Sequence, residues 1–116
     1  MPSTDLWLGN IWNACDQALL ERLGITHILN VTDREINPFE YRYKHMRISV
    51  DDVPREDLKR HMPRAIHFIK EAHRSGGNLL VHCRMGRSRS AVIVEAYCMH
   101  EYGLTAVEAA EYVESK

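Results

Sequence analysis

The stretch that decides this fold runs from Leu79 to Val94 and reads LLVHCRMGRSRSAVIV. It begins with the apolar run Leu79–Val81 and ends with the apolar run Ala91–Val94, which predicts a buried strand, a tight loop and a buried helix in that order. A loop at a helix N-terminus directs unpaired backbone N–H groups and the positive end of the helix dipole at one point. The stretch therefore predicts an anion-binding site.

The loop within this stretch carries one thiol and three guanidinium groups, with no acidic residue between Cys83 and Ser90. A free cysteine titrates near ~8.5, and a helix N-terminus with neighbouring arginines lowers that value by several units. This setting suits a cysteine nucleophile that attacks a phosphate held by backbone amides and a guanidinium. Cys15 and Cys98 lack such surroundings, and Cys98 falls in an apolar segment that predicts core packing.

The composition is that of an ordinary globular protein. With 116 residues, 45% of them hydrophobic and 27% charged, the chain is expected to form one domain. The formal net charge of −1 gives no case for a nucleic-acid partner, and no apolar run has the length of a membrane span. Three cysteines and seven histidines without ligand-like spacing predict no metal and no other cofactor. No signal peptide opens the chain, so we expect a cytoplasmic protein, with entry into the nucleus left open.

Strand-like and helix-like segments alternate along the chain. The predicted strands are Leu6–Leu8, Ile25–Val31, Tyr43–Val50 and Asn78–His82. The predicted helices are one capped by Asn13 or Asp16 and ending at Gly24, one from about Pro54 to Arg74 with a break near Met62-Pro63, one over Arg89–Tyr102, and one from the capping box Thr105-x-x-Glu108 to about Glu114. The alternation predicts an α/β fold, a three-layer sandwich in which helices flank a mostly parallel central sheet. Ligands bind such sheets at the carboxyl ends of the strands, where Cys83 is expected.

The loop sequence also resembles a known signature. Cys83, five residues and then Arg89 match the Cys-x5-Arg motif of the protein tyrosine phosphatase superfamily, and His82, Gly86 and Ser90 match the longer form of that motif. The chain also resembles the dual-specificity phosphatases of this superfamily, in the segments Leu6–Asn10, Gly24–Val31 and Asp51-Asp52.

This resemblance runs from about Leu6 to the C-terminus and has implications for the fold. It implies a protein tyrosine phosphatase-like sandwich and a single catalytic domain over residues 1–116. Domains of the family usually continue with a further helix or two, so we expect this one to be short of its last C-terminal helix or helices.

The resemblance implies a role for each residue of the loop. Cys83 is the nucleophile, and Arg89 is the phosphate clamp, whose planar fork binds two phosphate oxygens at once. The hydroxyl of Ser90 donates to the Cys83 sulfur and helps it leave, with a helix N-cap as the competing role. His82 orients the loop through backbone hydrogen bonds and is neither acid nor base. The residues expected to bind phosphate through backbone N–H groups are Arg84, Met85, Gly86, Arg87 and Ser88. The side chains of Arg84 and Arg87 either contact substrate or face outward.

Expulsion of an alkoxide or phenoxide from phosphorus needs a proton donor. Asp51-Asp52 follows the predicted strand Tyr43–Val50, and dual-specificity phosphatases carry their general acid on a mobile loop at a matching position. The family pattern, laid over Ile48–Asp52, places the acid on Asp52 and leaves Asp51 as the alternative. The interpretation without a catalytic role is that both are solvated loop acids or helix caps.

The resemblance implies a phosphorylated protein as the substrate. Strictly phosphotyrosine-specific relatives have a longer loop that deepens the cleft, whereas here roughly ten residues separate Val31 from Tyr43. A shallow cleft then admits phosphoserine and phosphothreonine as well as phosphotyrosine. One alternative is a phosphoinositide or other phospholipid phosphatase, which the extra charges of Arg84 and Arg87 favour and the lack of a polybasic stripe or amphipathic membrane helix disfavours. The other is a non-catalytic phosphate-binding module, which typically lacks the cysteine or the arginine. No pattern predicts an oligomeric state.

Overall fold

The computed structural model describes residues 6–32, 38–39, 42–48, 60–83 and 88–116. Its strands are β1 (Leu6–Gly9), β2 (His27–Asn30), β3 (Lys44–Arg47) and β4 (Leu79–His82). Its helices are α1 (Ile11–Ala14), α2 (Gln17–Leu23), α3 (Met62–Arg74), α4 (Ser88–Tyr102) and α5 (Ala106–Glu114). Each strand coincides with a predicted one to within a few residues; residues 49–50 of the predicted third strand lie outside the described ranges.

The four described strands form one parallel sheet in the order β1-β4-β2-β3. His82, the last residue of the inner strand β4, lies opposite Gly9 of β1 on one side and Asn30 of β2 on the other. Asn30 is paired in turn with Arg47 of β3. The carboxyl ends of all four strands therefore meet at one edge, and Cys83 follows β4 there.

The sheet is buried on both faces. Leu80 packs into a core cluster below α1 and α2, whereas its neighbours Leu79 and Val81 belong to a second cluster with residues of α3, α4 and α5. Successive side chains of a strand point to opposite faces, so the fully apolar run Leu79–Val81 feeds both cores. Two layers of helices around a parallel sheet confirm the predicted three-layer α/β sandwich.

Two helices begin and end as their capping residues predict. Asp16 accepts a 3.1 Å hydrogen bond from the Leu19 N–H at the start of α2, and Gly24 ends that helix with a left-handed φ of 66°. At the start of α5, the Thr105 hydroxyl accepts from the Glu108 N–H at 3.1 Å while the Glu108 carboxylate accepts from the Thr105 N–H at 2.9 Å. The capping box predicted from the sequence is therefore confirmed.

One helix, α1, is not predicted from the sequence, and α3 begins where the predicted helical region has its break. α1 is too short to show an amphipathic period; it is held instead by Asn10 and Asn13, whose side chains accept from each other's backbone N–H at 3.0 and 2.8 Å. Pro63 lies in the first turn of α3, where the missing proline N–H has no helical partner to lose. Pro63 is therefore the second residue of a helix that begins at Met62. Residues 54–59 of the predicted helical region lie outside the described ranges.

α4 is the central helix of its layer, as predicted. It packs against α3 and α5 and buries Ile93, Val94 and Cys98 completely or nearly so. Burial, reinforced by the nearby Glu95 carboxylate, raises the pKa of the Cys98 thiol to about 11, which confirms a core role for this cysteine. Within the described ranges, no helix combines the length and the apolar composition that a membrane crossing needs.

Candidate active site

The peptide group between His82 and Cys83 is held from both sides. The His82 carbonyl accepts a 2.8 Å hydrogen bond from the N–H of Val31, the residue after β2. On the other side, the Cys83 N–H donates to the Gly9 carbonyl at the end of β1, at 3.3 Å. The backbone that leads into the Cys83 side chain is therefore fixed by two neighbouring strands.

Cys83 and Ser90 are brought together across the strand–helix junction. Their Sγ and Oγ atoms are 3.5 Å apart, which is hydrogen-bonding distance for sulfur, and either group is able to donate. Cys83 is 4% exposed and Ser90 is fully buried. Ser90 lies inside α4, two residues after its first residue Ser88, so it is not the N-cap of that helix.

Arg89 lies in the first turn of α4, where the positive end of the helix dipole is located. Its side chain is half-buried, and its Nε atom is shielded from solvent. The residues Arg84, Met85, Gly86 and Arg87, predicted to bind phosphate, lie outside the described ranges. So do Asp52, the predicted general acid, and its alternative Asp51. Among the residues that are described, no group of three or more His, Cys, Asp or Glu side chains is arranged to hold a metal ion.

His82 is a fully buried imidazole directly before Cys83. Burial lowers the pKa of His82 to about 4; the backbone of Cys83 opposes this shift, and the nearby His45 adds to it. The ring is therefore neutral at neutral pH. The loop that His82 is predicted to orient includes residues 84–87, which lie outside the described ranges, so this role stays a prediction.

Two buried polar side chains beside the site are not anticipated by the sequence analysis. The Thr32 hydroxyl donates a 2.6 Å hydrogen bond to Oδ1 of Asn30, and neither residue has exposed surface. They flank Val31, whose N–H holds the His82 carbonyl. The sequence feature that indicates such a pair is the presence of two polar residues, Asn30 and Thr32, among the apolar residues Ile28, Leu29 and Val31.

A parallel sheet that delivers a cysteine to a helix N-terminus, with an arginine and a serine in the first helical turn, defines the class of cysteine-based phosphatases. The family model described as "Dual specificity phosphatase, catalytic domain" matches residues 6–116. The chain therefore belongs to the dual-specificity phosphatase family, within the protein tyrosine phosphatase superfamily.

The similarity to known proteins extends over nearly the whole chain. Dual specificity protein phosphatase 1 of Arabidopsis thaliana is 39% identical over 115 residues, which covers 96% of this chain and 56% of that protein. Dual specificity protein phosphatase 15 of Mus musculus is 40% identical over 110 residues, covering 95% of this chain and 46% of that protein. The crystal structure of human DUSP28 superposes with a TM-score of 0.88 at 34% identity and covers 97% of this chain and 79% of that one. The chain spans about half the length of these two curated relatives.

Proposed function

We propose that this domain hydrolyses phosphate monoesters on phosphorylated proteins through a cysteinyl-phosphate intermediate. The observation that carries the proposal is the buried pair of Cys83 and Ser90, whose side chains lie 3.5 Å apart between the end of β4 and the first turn of α4. Membership of the dual-specificity phosphatase family supports the class of reaction and a phosphoprotein as its substrate.

The reaction proceeds in two displacements at phosphorus. The Cys83 thiolate attacks phosphorus and forms the S–P bond while the P–O bond to the substrate breaks and Asp52 gives its proton to the departing oxygen. Water then attacks the cysteinyl-phosphate, Asp52 takes a proton from the water, and the S–P bond breaks to return the electron pair to sulfur. The Ser90 hydroxyl donates a hydrogen bond to the sulfur as negative charge develops there. Arg89 and the backbone N–H groups of residues 84–88 hold the phosphoryl oxygens throughout, and the two steps together consume only water.

The nucleophile is tested by one substitution and its matched control. Cys83→Ser is expected to reduce turnover of para-nitrophenyl phosphate below about one per cent, because a serine hydroxyl does not ionise near neutral pH without a general base. Cys15→Ser makes the same chemical change at an exposed cysteine and is expected to keep wild-type turnover. The assay is run with a chelator present. A Cys83→Ser variant that retains more than one per cent of wild-type turnover contradicts the assignment.

The general acid is tested by the dependence on the leaving group. Asp52→Asn is expected to slow turnover of phosphopeptides about 100-fold, in the usual range for one acid–base group, and to slow highly activated aryl phosphates much less. Asp51→Asn is the matched neighbour and is expected to cost only a few-fold. Equal losses for good and poor leaving groups with Asp52→Asn show that this residue does not donate the proton. A large leaving-group-dependent loss with Asp51→Asn alone moves the role to Asp51.

A phosphoinositide is the second candidate substrate, and the charges of Arg84 and Arg87 in the loop are the observation that favours it. Turnover of phosphotyrosine, phosphoserine and phosphothreonine peptides is compared with turnover of phosphoinositides in detergent micelles at equal phosphate concentration. We expect the peptides to be hydrolysed with the higher kcat/KM. A preference for the lipid that falls with Arg84→Ala or Arg87→Ala supports the second candidate.

A further inference from the structure

We propose that Asn30 and Thr32 are positioning residues for the nucleophile. The inference rests on the proposed role of Cys83. The hydrogen bond between the two side chains fixes the backbone on either side of Val31, and the Val31 N–H fixes the peptide group that carries Cys83. The two residues act through the backbone and do not touch the substrate.

The geometry forms a short, continuous path from the side-chain pair to the thiol. Thr32 Oγ1 and Asn30 Oδ1 are 2.6 Å apart and join the residues on either side of Val31. The Val31 N–H donates to the His82 carbonyl at 2.8 Å, and the next atom group along the chain is the Cys83 N–H. A rotation of this peptide group moves Cys83 Sγ relative to Ser90 Oγ and to the first turn of α4.

The path lies in a part of the molecule where water does not replace a lost hydrogen bond. Asn30 and Thr32 have no exposed surface, so removal of the Thr32 hydroxyl leaves the Asn30 oxygen without this donor in a dry environment. The hydrogen bond to the other side of the peptide group, from the Cys83 N–H to Gly9, is longer at 3.3 Å. We therefore expect the β2 side to set the orientation.

The chain offers a matched control at the opposite end of β2. The Thr26 hydroxyl accepts from the Asn78 N–H at 3.0 Å and donates to the Asn78 carbonyl at 3.2 Å, so Thr26 links the start of β4 to the start of β2. β4 is four residues long, which places this link about 13 Å from the thiol end of the strand. Thr26 ties β2 to β4 directly at the far end of the strands, whereas Thr32 acts on the link beside Cys83 through Asn30 and the Val31 backbone.

The experiment compares Thr32→Ser, Thr32→Ala and Thr26→Ala, with urea unfolding as the measure of stability. Both Thr32 variants lose the methyl group, and only Thr32→Ala loses the hydroxyl. We expect Thr32→Ser to keep kcat for para-nitrophenyl phosphate within about two-fold of wild type. We expect Thr32→Ala to lower kcat about 10-fold with KM nearly unchanged, because small misplacements of reacting groups lower the rate while the phosphate contacts remain. Thr26→Ala is expected to lower stability and to leave kcat unchanged.

A second measurement does not depend on turnover. The rate of alkylation of Cys83 by iodoacetamide at pH 6.5 is followed by peptide mass spectrometry, with exposed Cys15 in the same molecule as the internal standard. We expect the ratio of Cys83 to Cys15 alkylation to differ several-fold between Thr32→Ala and Thr32→Ser. If wild-type protein does not turn over phosphate esters, the proposed function fails and this ratio alone decides the positioning role.

The proposal is overturned by equal kcat values in Thr32→Ala and Thr32→Ser, by a kcat loss in Thr26→Ala as large as that in Thr32→Ala, or by equal alkylation ratios in the two Thr32 variants. Thr32→Val keeps the volume of threonine with a methyl group in place of the hydroxyl, and it replaces Thr32→Ala if that variant does not fold.

Discussion

Acidification is expected to destabilise this domain through one buried imidazole. His82 has no exposed surface, and burial lowers its pKa from 6.5 to about 4 in the folded protein. In the unfolded chain the same imidazole takes up a proton near pH 6.5, so between these values the unfolded state binds more protons than the folded state. The stability that neutral His82 contributes is therefore complete above pH 6.5 and is lost as the pH falls toward 4.

The size of this effect follows from the pKa difference. One pKa unit corresponds to about 1.4 kcal/mol, so the whole shift of His82 corresponds to about 3 kcal/mol once the pH is below 4. At pH 5 about 2 kcal/mol is already lost, because the unfolded imidazole is almost fully protonated there and the buried one is not. Small domains are stable by only about 5–15 kcal/mol, so this single group is a substantial fraction of the total.

The assay is urea unfolding of wild type and of His82→Gln at pH 7 and pH 5. Wild type is expected to lose about 2 kcal/mol more between the two pH values than His82→Gln, whose side chain does not titrate. His100→Gln removes an exposed histidine from α4 and controls for the loss of an imidazole elsewhere. If wild type and His82→Gln lose the same stability between pH 7 and pH 5, then protonation of His82 is not what destabilises the protein and the reasoning is refuted.

Three further substitutions test other parts of the structure. Ser90→Ala is expected to slow hydrolysis of the cysteinyl-phosphate about 10-fold and to give a burst of leaving group in rapid-quench kinetics; unchanged steady-state turnover without a burst contradicts this role. Gly9→Ala places a Cβ atom 2.7 Å from Asn13 Oδ1, in the residue whose carbonyl accepts from the Cys83 N–H. We expect the free energy of unfolding in urea to fall by about 1–3 kcal/mol, and an unchanged unfolding midpoint contradicts this expectation. Thr105→Ala removes the capping hydroxyl of α5 and is expected to cost about 1 kcal/mol with kcat unchanged, whereas Thr105→Ser keeps the cap; equal stability of the two variants disproves the capping contribution.

The parts of the fold that depend on neighbouring residues were the ones that could be predicted from the sequence. The capping box of Thr105 and Glu108 lies within four residues, and the left-handed end of α2 needs only Gly24. Predictions weaken where local signals are short or ambiguous. α1 has a single turn, and Pro63 is compatible both with a break in a longer helix and with the first turn of a new one.

The candidate site also has features that the local sequence predicts and features that depend on long-range packing. The junction that brings Cys83 to Ser90 is a local feature, because the two residues are only seven positions apart, between the end of β4 and the first turn of α4. The roles of Gly9 and of the pair Asn30–Thr32 depend on which strands lie on either side of β4. That order is set by long-range packing on both faces of the sheet, and no spacing within a single segment encodes it.

The surroundings of the Cys83 thiol depend on the folding of distant segments, because the peptide group before Cys83 is hydrogen-bonded on both sides. Its two partners, Gly9 and Val31, come from segments made long before Cys83, and Gly9 is more than seventy residues away in sequence. Contacts between residues so far apart in sequence form late in folding. The chain loses the entropy of closing a long loop before the contact contributes any stabilising free energy. A nascent or partly folded chain therefore lacks the fixed approach of the Cys83 thiol to the Ser90 hydroxyl. Because the thiol acquires its environment only when β4 inserts between β1 and β2, amide exchange at Cys83 is expected to require opening of the whole sheet.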